Sequence, residues 1–266
     1  KPHRDAYIDA SKQISGTSHM TTSYAADLAL FIDGQWRSGE GRDHHAVINP
    51  ATGETLAQLP LATATDLDEA LAATAKGFDI WRKTDVNERA AILHKVATLI
   101  RERAEDIAVL LTTEQGKPLA EARTEVLSCA VQFDYFAEEA KRSYGRVLVR
   151  PTGQRALVLK QPVGPVAAFS PWNFPVNLMC KKMAAALAAG CSIIAKPPEE
   201  TPGCTNAIMR CVIDGGVPGN VAQLVYGVPD MVSRYLIASP IIRKISFTGS
   251  VPVGKHLLKL AADGVK

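Results

Sequence analysis

Three short stretches of the chain combine residue types and spacings suited to a polar ligand. The first is Phe169-Ser170-Pro171-Trp172-Asn173-Phe174-Pro175. Two prolines stiffen this turn while Asn173 offers an amide donor. A fixed N–H is what a developing oxyanion requires, and removing such a donor costs roughly 3–4 kcal/mol. The same asparagine could instead cap a following helix. The second stretch is Ala195-Lys196-Pro197-Pro198-Glu199-Glu200-Thr201-Pro202. Its ammonium and carboxylate could grip ribose hydroxyls, or face water in a loop whose helix starts at Thr201 and Pro202. An acid in such a place repels a 2′-phosphate and tilts a dinucleotide site towards NAD over NADP. The third is Phe247-Thr248-Gly249-Ser250-Val251-Pro252-Val253-Gly254. Gly249 lets backbone approach a phosphate, and a helix starting behind it presents free N–H groups. Ser250 is placed to cap that helix, with Pro252 in its first turn. Its glycine spacing is neither a dinucleotide GxGxxG fingerprint nor a Walker loop.

These stretches act together only if the fold brings them together. From Gly164 onwards, apolar runs alternate with helical patterns. Pro165–Phe169 precedes a helix from about Val176 to Ala189, and Cys191–Ala195 one from Pro202 to Asp214. Ala222–Tyr226 precedes a short helix near Asp230 to Ala238, and Lys244–Phe247 one from about Val251 to Ala262. Continuous apolar strands separated by helices predict a doubly wound parallel α/β sheet covered on both faces. Ligands are then expected off the carboxyl ends of the strands, where all three stretches fall.

Upstream, Leu30–Ile32 and Gln35-Trp36 flank Asp33-Gly34, a two-residue hairpin signal. Asn49-Pro50-Ala51-Thr52-Gly53-Glu54 reads as a turn between extended segments. Asp66–Trp81 repeats apolar residues at helical spacing. Asp85 or Asn87 could cap one long second helix, carrying Ile92, Val96, Leu99 and Ile107 and ending near Gly116. A third helix runs from Pro118 to about Lys141, and all three read as packing helices. Val147–Val149 and Ala156–Leu159 flank Pro151-Thr152-Gly153-Gln154, a β-hairpin that needs a partner outside itself. The organisation expected is a tag or linker at 1–19, with a natural start at Met20, and a hairpin with helices at 20–143. The isolated hairpin follows at 144–161 and the α/β core at 162–266.

Composition narrows the function classes. A net charge of +3 over 266 residues gives no phosphate-binding stripe, so nucleic acid is not an expected partner. No apolar run approaches the roughly 20 residues that span a bilayer. Cys129, Cys180, Cys191, Cys204 and Cys211 form no CxxC pair and no metal-ligand spacing, which favours free thiols in a reducing, cytoplasmic setting and no metal. Cys180, beside Lys181 and Lys182, is the one candidate for a lowered thiol pKa, and inert core thiols are the expectation for all five.

In order and wording, PWNFP, AALAAGCSIIAKPPEETP, GVPGNVAQLVYG and KISFTGSVPVGK resemble the aldehyde dehydrogenase superfamily, with succinate-semialdehyde dehydrogenases nearest in wording. The resemblance runs from Leu30 to the last residue and takes in Asn49–Gly53 and Glu114-Gln115-Gly116-Lys117-Pro118. It implies NAD(P)-dependent oxidation of an aldehyde to an acid, a thiohemiacetal oxyanion held by Asn173, and adenosine ribose held by Lys196 and Glu199. Gly249, Ser250 and Gly254 would face the pyrophosphate. Ser170, Pro171, Trp172, Pro197, Pro198, Gly227 and Phe247 complete the cofactor site it implies, with NAD as the expected cofactor and NADP as the alternative. It further implies a homo-oligomer, a dimer or tetramer, built through the 144–161 hairpin. The family's general base, a Glu in an ELGG stretch, and its nucleophilic Cys have no counterpart here, so the expectation is a cofactor-binding portion lacking the catalytic domain. A non-catalytic dinucleotide-binding or assembly fragment is the other reading.

Overall fold

A computed structural model describes residues 24, 26–39 and 41–266; the expected tag at 1–19 lies outside them. The chain opens with β1 (Leu30–Ile32) and β2 (Gln35–Arg37), joined by Asp33 and Gly34 at φ 49° and 80°. Two successive left-handed residues make the tight turn that suits strand twist, as the Asp-Gly pair predicts. A second antiparallel pair, β3 (His44–Ile48) and β4 (Thr55–Pro60), is closed by the Asn49–Gly53 turn, whose Gly53 N–H donates to the Asn49 carbonyl at 2.8 Å.

Four helices follow. In α1 (Ala64–Trp81) Thr63 and Asp66 form a reciprocal capping box, and Asp66 also receives Arg37 and Arg42. Its last residue, Trp81, is buried and donates its indole N–H to the Leu187 carbonyl at 2.8 Å. The single long helix expected next is in fact two, α2 (Val86–Glu102) and α3 (Ala104–Gln115). Arg103 leaves the helical dihedrals at φ −99°, ψ 10°, and its guanidinium pairs with Asp214 at 2.6 Å. The break re-aims the apolar stripe: α2 packs chiefly on α4 (Leu119–Ala140), while α3 packs on α4 and α6 (Pro202–Asp214). Asp85, rather than Asn87, caps α2 by accepting the Asn87 N–H at 2.8 Å. Gly116 ends α3 at φ 84°, and Pro118 sits at the N-cap of α4. The isolated hairpin is β5 (Arg146–Leu148) with β6 (Ala156–Val158), and Val147, Val149, Leu157 and Leu159 are exposed on it.

The core then runs β7 (Val166–Phe169), α5 (Pro175–Ala188), β8 (Ile193–Lys196), α6, β9 (Ala222–Leu224), α7 (Pro229–Ala238), β10 (Lys244–Phe247) and α8 (Val251–Ala262). The six-stranded sheet has the order β10-β7-β8-β9-β1-β2, with β10, β7, β8 and β9 parallel and β1 and β2 antiparallel beside them. The doubly wound sheet is therefore as expected, extended by the first hairpin through Phe31 opposite Leu224. Asp33 N–H donates to the Gln223 side chain at 2.7 Å and Gly34 N–H to the Gly219 carbonyl at 3.1 Å, which holds that hairpin in place. β7, β8 and β9 are buried throughout, whereas β10 is a half-buried edge with Lys244 exposed. The fourth apolar run is thus an edge strand rather than a fully covered one. Among the described residues no helix is long and apolar enough to cross a membrane.

His94 on α2 lies 2.7 Å from Asp134 and 2.8 Å from Glu138, both on α4. The Glu138 and then the Asp134 carboxylate raise its pKa above the ordinary 6.5. A raised imidazole stabilises the fold fully below that ordinary value and loses the contribution as pH climbs through the raised one. Urea unfolding of His94→Gln should therefore fall short of the parent most at mildly acidic pH and match it in alkaline buffer. A deficit that grows with pH would contradict this.

Candidate functional site

β7, β8 and β9 step across the sheet in one direction, and β10 then returns to the other side of β7. Crossovers running in opposite directions lie on opposite faces, so the carboxyl ends of β7 and β10 leave a crevice between them. A cleft of about 660 Å³ sits there, lined by Phe169 to Trp172 after β7, by Phe247 to Ser250 after β10, and by Lys196, Pro198, Glu199 and Glu200 after β8. Pro229, Asp230 and Ser233 of α7 and Pro252, Val253, His256 and Leu257 of α8 close its far wall.

At the floor, Lys196 and Glu199 are both buried. The ammonium lies 2.7 Å from the carboxylate, which also accepts the Gly227 N–H at 3.0 Å. A buried charge needs such partners, and this pair supplies them in place of water. Behind it, Glu114 is fully enclosed and accepts the N–H groups of Gly203 at 2.5 Å and Cys204 at 3.0 Å, with the Tyr24 hydroxyl as third donor. It closes the N-terminus of α6, where a carboxylate complements the free donors and the helix dipole. Burial nonetheless pushes the Glu114 carboxyl up and the Tyr24 phenol well up.

The turns after β7 and β10 are tied together. Thr248 N–H donates to the Phe169 carbonyl at 3.2 Å, and Lys182 of α5 donates to the Thr248 hydroxyl at 2.7 Å. Burial, and next the neighbouring Lys181 charge, lowers the Lys182 pKa. Ser170 Oγ lies buried beside the cleft with no hydrogen-bond partner among the described residues.

A model of the aldehyde dehydrogenase family matches residues 36–266. The chain belongs to that family. It is 51% identical over 238 residues to 4-(hydroxymethyl)benzenesulfonate dehydrogenase TsaD1 of Comamonas testosteroni, an alignment covering 89% of this chain and 50% of the relative. To succinate-semialdehyde dehydrogenase [NADP(+)] GabD of Escherichia coli it is 39% identical, covering 88% and 49%. A crystal structure of betaine aldehyde dehydrogenase from Staphylococcus aureus in complex with NAD+ superposes with a TM-score of 0.88 at 29% identity, covering 92% of this chain and 49% of that one. The chain thus spans about half the length of the relatives it matches.

Of the residues singled out in the sequence, Ser170, Pro171, Trp172, Lys196, Pro198, Glu199, Phe247, Gly249 and Ser250 line the cleft. Asn173, Pro197, Gly227 and Gly254 do not. Asn173 is exposed just beyond the rim, and the N-cap of α5 is Phe174, so Asn173 does not cap that helix. Gly227 acts from behind, holding Glu199. Ser250 occupies the N-cap of α8 without a side-chain cap bond. The glycines after β10 have a different local cause from the one expected: a Cβ at Gly249 would lie 2.4 Å from the Phe247 ring, and one at Gly254 3.3 Å from it. They make room for an aromatic side chain that itself walls the cleft. Lys182 and the wall residues Asp230, Ser233 and His256 carry no site signal in sequence, because only the tertiary fold brings them to the strand ends. All five cysteines are buried and none lines the cleft. Burial pushes the Cys129 and Cys204 thiols well up and Cys211 up to about 11.

Gly249→Ala should cost about 1–3 kcal/mol in urea unfolding, the usual range for overpacking. Adding Phe247→Leu should recover most of that loss. An unchanged midpoint for the single variant would show that the ring does not require the glycine.

Proposed function

We propose that this chain binds NAD in the β7–β10 crevice and forms the cofactor-binding part of an aldehyde dehydrogenase acting on an aldehyde that bears an acid group. Succinate semialdehyde is the first candidate substrate, NADP the alternative cofactor, and the cytoplasm the setting. The observation that carries the reading is the buried Glu199 carboxylate beside Lys196 at the cleft floor.

The residues present fit such a cofactor. Lys196 donates to ribose hydroxyls and Glu199 accepts from them. A 2′-phosphate would meet like charge at Glu199, which favours NAD. The unpartnered Ser170 hydroxyl gives the cleft one more hydrogen-bonding group. At the start of α8, Val251 and Val253 retain free N–H groups while Pro252 has none, so this helix end suits a pyrophosphate. When bound, the dinucleotide supplies the hydride acceptor. The chain's own contribution to the chemistry is the Asn173 amide, which donates to an oxyanion forming on the substrate. The two relatives named above carry a sulfonate and a succinate semialdehyde in their names, which supports an acid-bearing substrate. With every thiol buried, the 266-residue chain offers no reactive thiolate and binds without turnover.

Calorimetric titration of the chain with NAD should give saturable heat, and succinate semialdehyde plus NAD should give no NADH. Glu199→Ser should raise affinity for NADP relative to NAD by roughly tenfold, the effect of about 1.4 kcal/mol. Absence of heat at millimolar NAD would reject the cofactor reading, and turnover would reject the claim of inactivity.

Self-association is a second reading, favoured by the exposed apolar hairpin. Val147 is 77% and Val149 98% exposed, with Leu157 at 64% and Leu159 at 69%. Such a two-stranded ribbon is marginal alone and suited to pairing in a homo-oligomer. Sedimentation of the parent chain should show a dimer or larger species that Val147→Asp with Leu157→Lys converts to monomer. A parent that sediments as monomer at tens of micromolar would exclude this role for the hairpin.

A further inference from the structure

We infer that Lys117 is the positioning residue of the Asn173 turn, an inference that rests on the oxyanion role proposed for Asn173. Lys117 lies between α3 and α4, remote in sequence from the turn. Its side chain is 8% exposed and that of its partner Glu125 on α4 only 2%, with 2.5 Å between ammonium and carboxylate. The same ammonium donates to the Asn173 main-chain carbonyl at 3.0 Å and stands 4.2 Å from the centre of the Phe174 ring. A partly desolvated cation over an aromatic face adds a directional attraction to those two polar contacts.

Glu125 completes the arrangement from the other side. Its second oxygen accepts the Asn177 N–H at 3.1 Å in the first turn of α5. The Asn177 side chain in turn bonds to Gln132 at 2.9 Å and to Ser128. One buried ion pair therefore holds the carbonyl of Asn173, the ring of the next residue and the start of the helix behind them. Fixing the main chain immediately after the Asn173 Cα restricts where its amide points, and an oxyanion donor must be held in the right direction to act.

The competing account is that Pro171 and Pro175 hold the turn without help. Order parameters from ¹⁵N relaxation of the 266-residue chain distinguish the two. Removing Lys117 alone would strand a buried carboxylate, so the informative variant is K117M combined with E125Q, which leaves no unpaired charge and keeps an acceptor for Asn177. The backbone amides of Asn173 and Phe174 should drop from about 0.85 in the parent to below about 0.6, rigid and flexible values respectively. Val126 and Cys129 on α4 should stay unchanged, and Lys117→Arg should restore the turn. Values near 0.85 in the double variant would give the turn to the prolines and overturn the inference. Because the readout needs no cofactor and no turnover, it stands or falls separately from the proposed function.

Discussion

Burying Glu199 at the carboxyl end of β8 sets a requirement that much of the α/β core meets. An isolated carboxylate in that position would take up a proton or draw in water. Lys196, three residues earlier on the same strand end, supplies the opposite charge, and the Gly227 N–H beyond β9 supplies a hydrogen bond. A Cβ at Gly227 would lie 2.8 Å from Val232 of α7, so a larger residue there would press on that helix. The loops after β8 and β9 and the start of α7 are thus fixed by one charged pair. The consequence is a cleft floor whose polar atoms are already aimed and already dry, which reduces the ordering that a ligand must impose on binding.

Topology then decides where the remaining groups meet. Because β10 returns to the far side of β7, the turns after these two strands are next to each other although about 75 residues of sequence separate them, as the strand positions in the chain show. The Thr248 N–H to Phe169 carbonyl bond joins the two turns, and Lys182 reaches across from α5 to Thr248. The Phe247 ring lies over the glycines that follow β10, leaving no room for a Cβ at Gly249 and a tight fit for one at Gly254.

What the sequence made legible follows the range of the interactions involved. The alternation of apolar runs with helices, the Asp33-Gly34 turn and the Pro202 helix start are written within a few residues of where they act, and the elements appear there. The placing of Lys196 and Glu199 just past β8 was legible for the same reason, although their pairing with each other was not. The break at Arg103 was not, because the apolar stripe continues in helical register through it, and its ion pair is made with Asp214 over a hundred residues later. Nor was the joining of the first hairpin to the main sheet, which depends on Gln223 and Gly219 lying beside Asp33 and Gly34. Gly249 was identified as important on a phosphate argument, whereas its immediate cause is the ring two residues before it.

The helices between Asp85 and Lys141 read as packing helices, with Glu114–Pro118 at the α3–α4 junction also part of the family resemblance, and they support the proposed site from outside the sheet. The β8 side of the cleft is fixed inside the sheet, but the Asn173 turn leaves the sheet and needs a support of its own. That support comes from the helical layer: Lys117 at the α3–α4 junction, Glu125 and Ser128 on α4, and through Glu114 the start of α6 as well. Beyond the break at Arg103, α3 packs on both α4 and α6, and Glu114 and Lys117 at its end, three residues apart, stand against two different helix starts. A layer that buries apolar surface on one face thereby delivers charged groups at its end, and the Asn173 turn is held by Lys117, 56 residues before it in the chain.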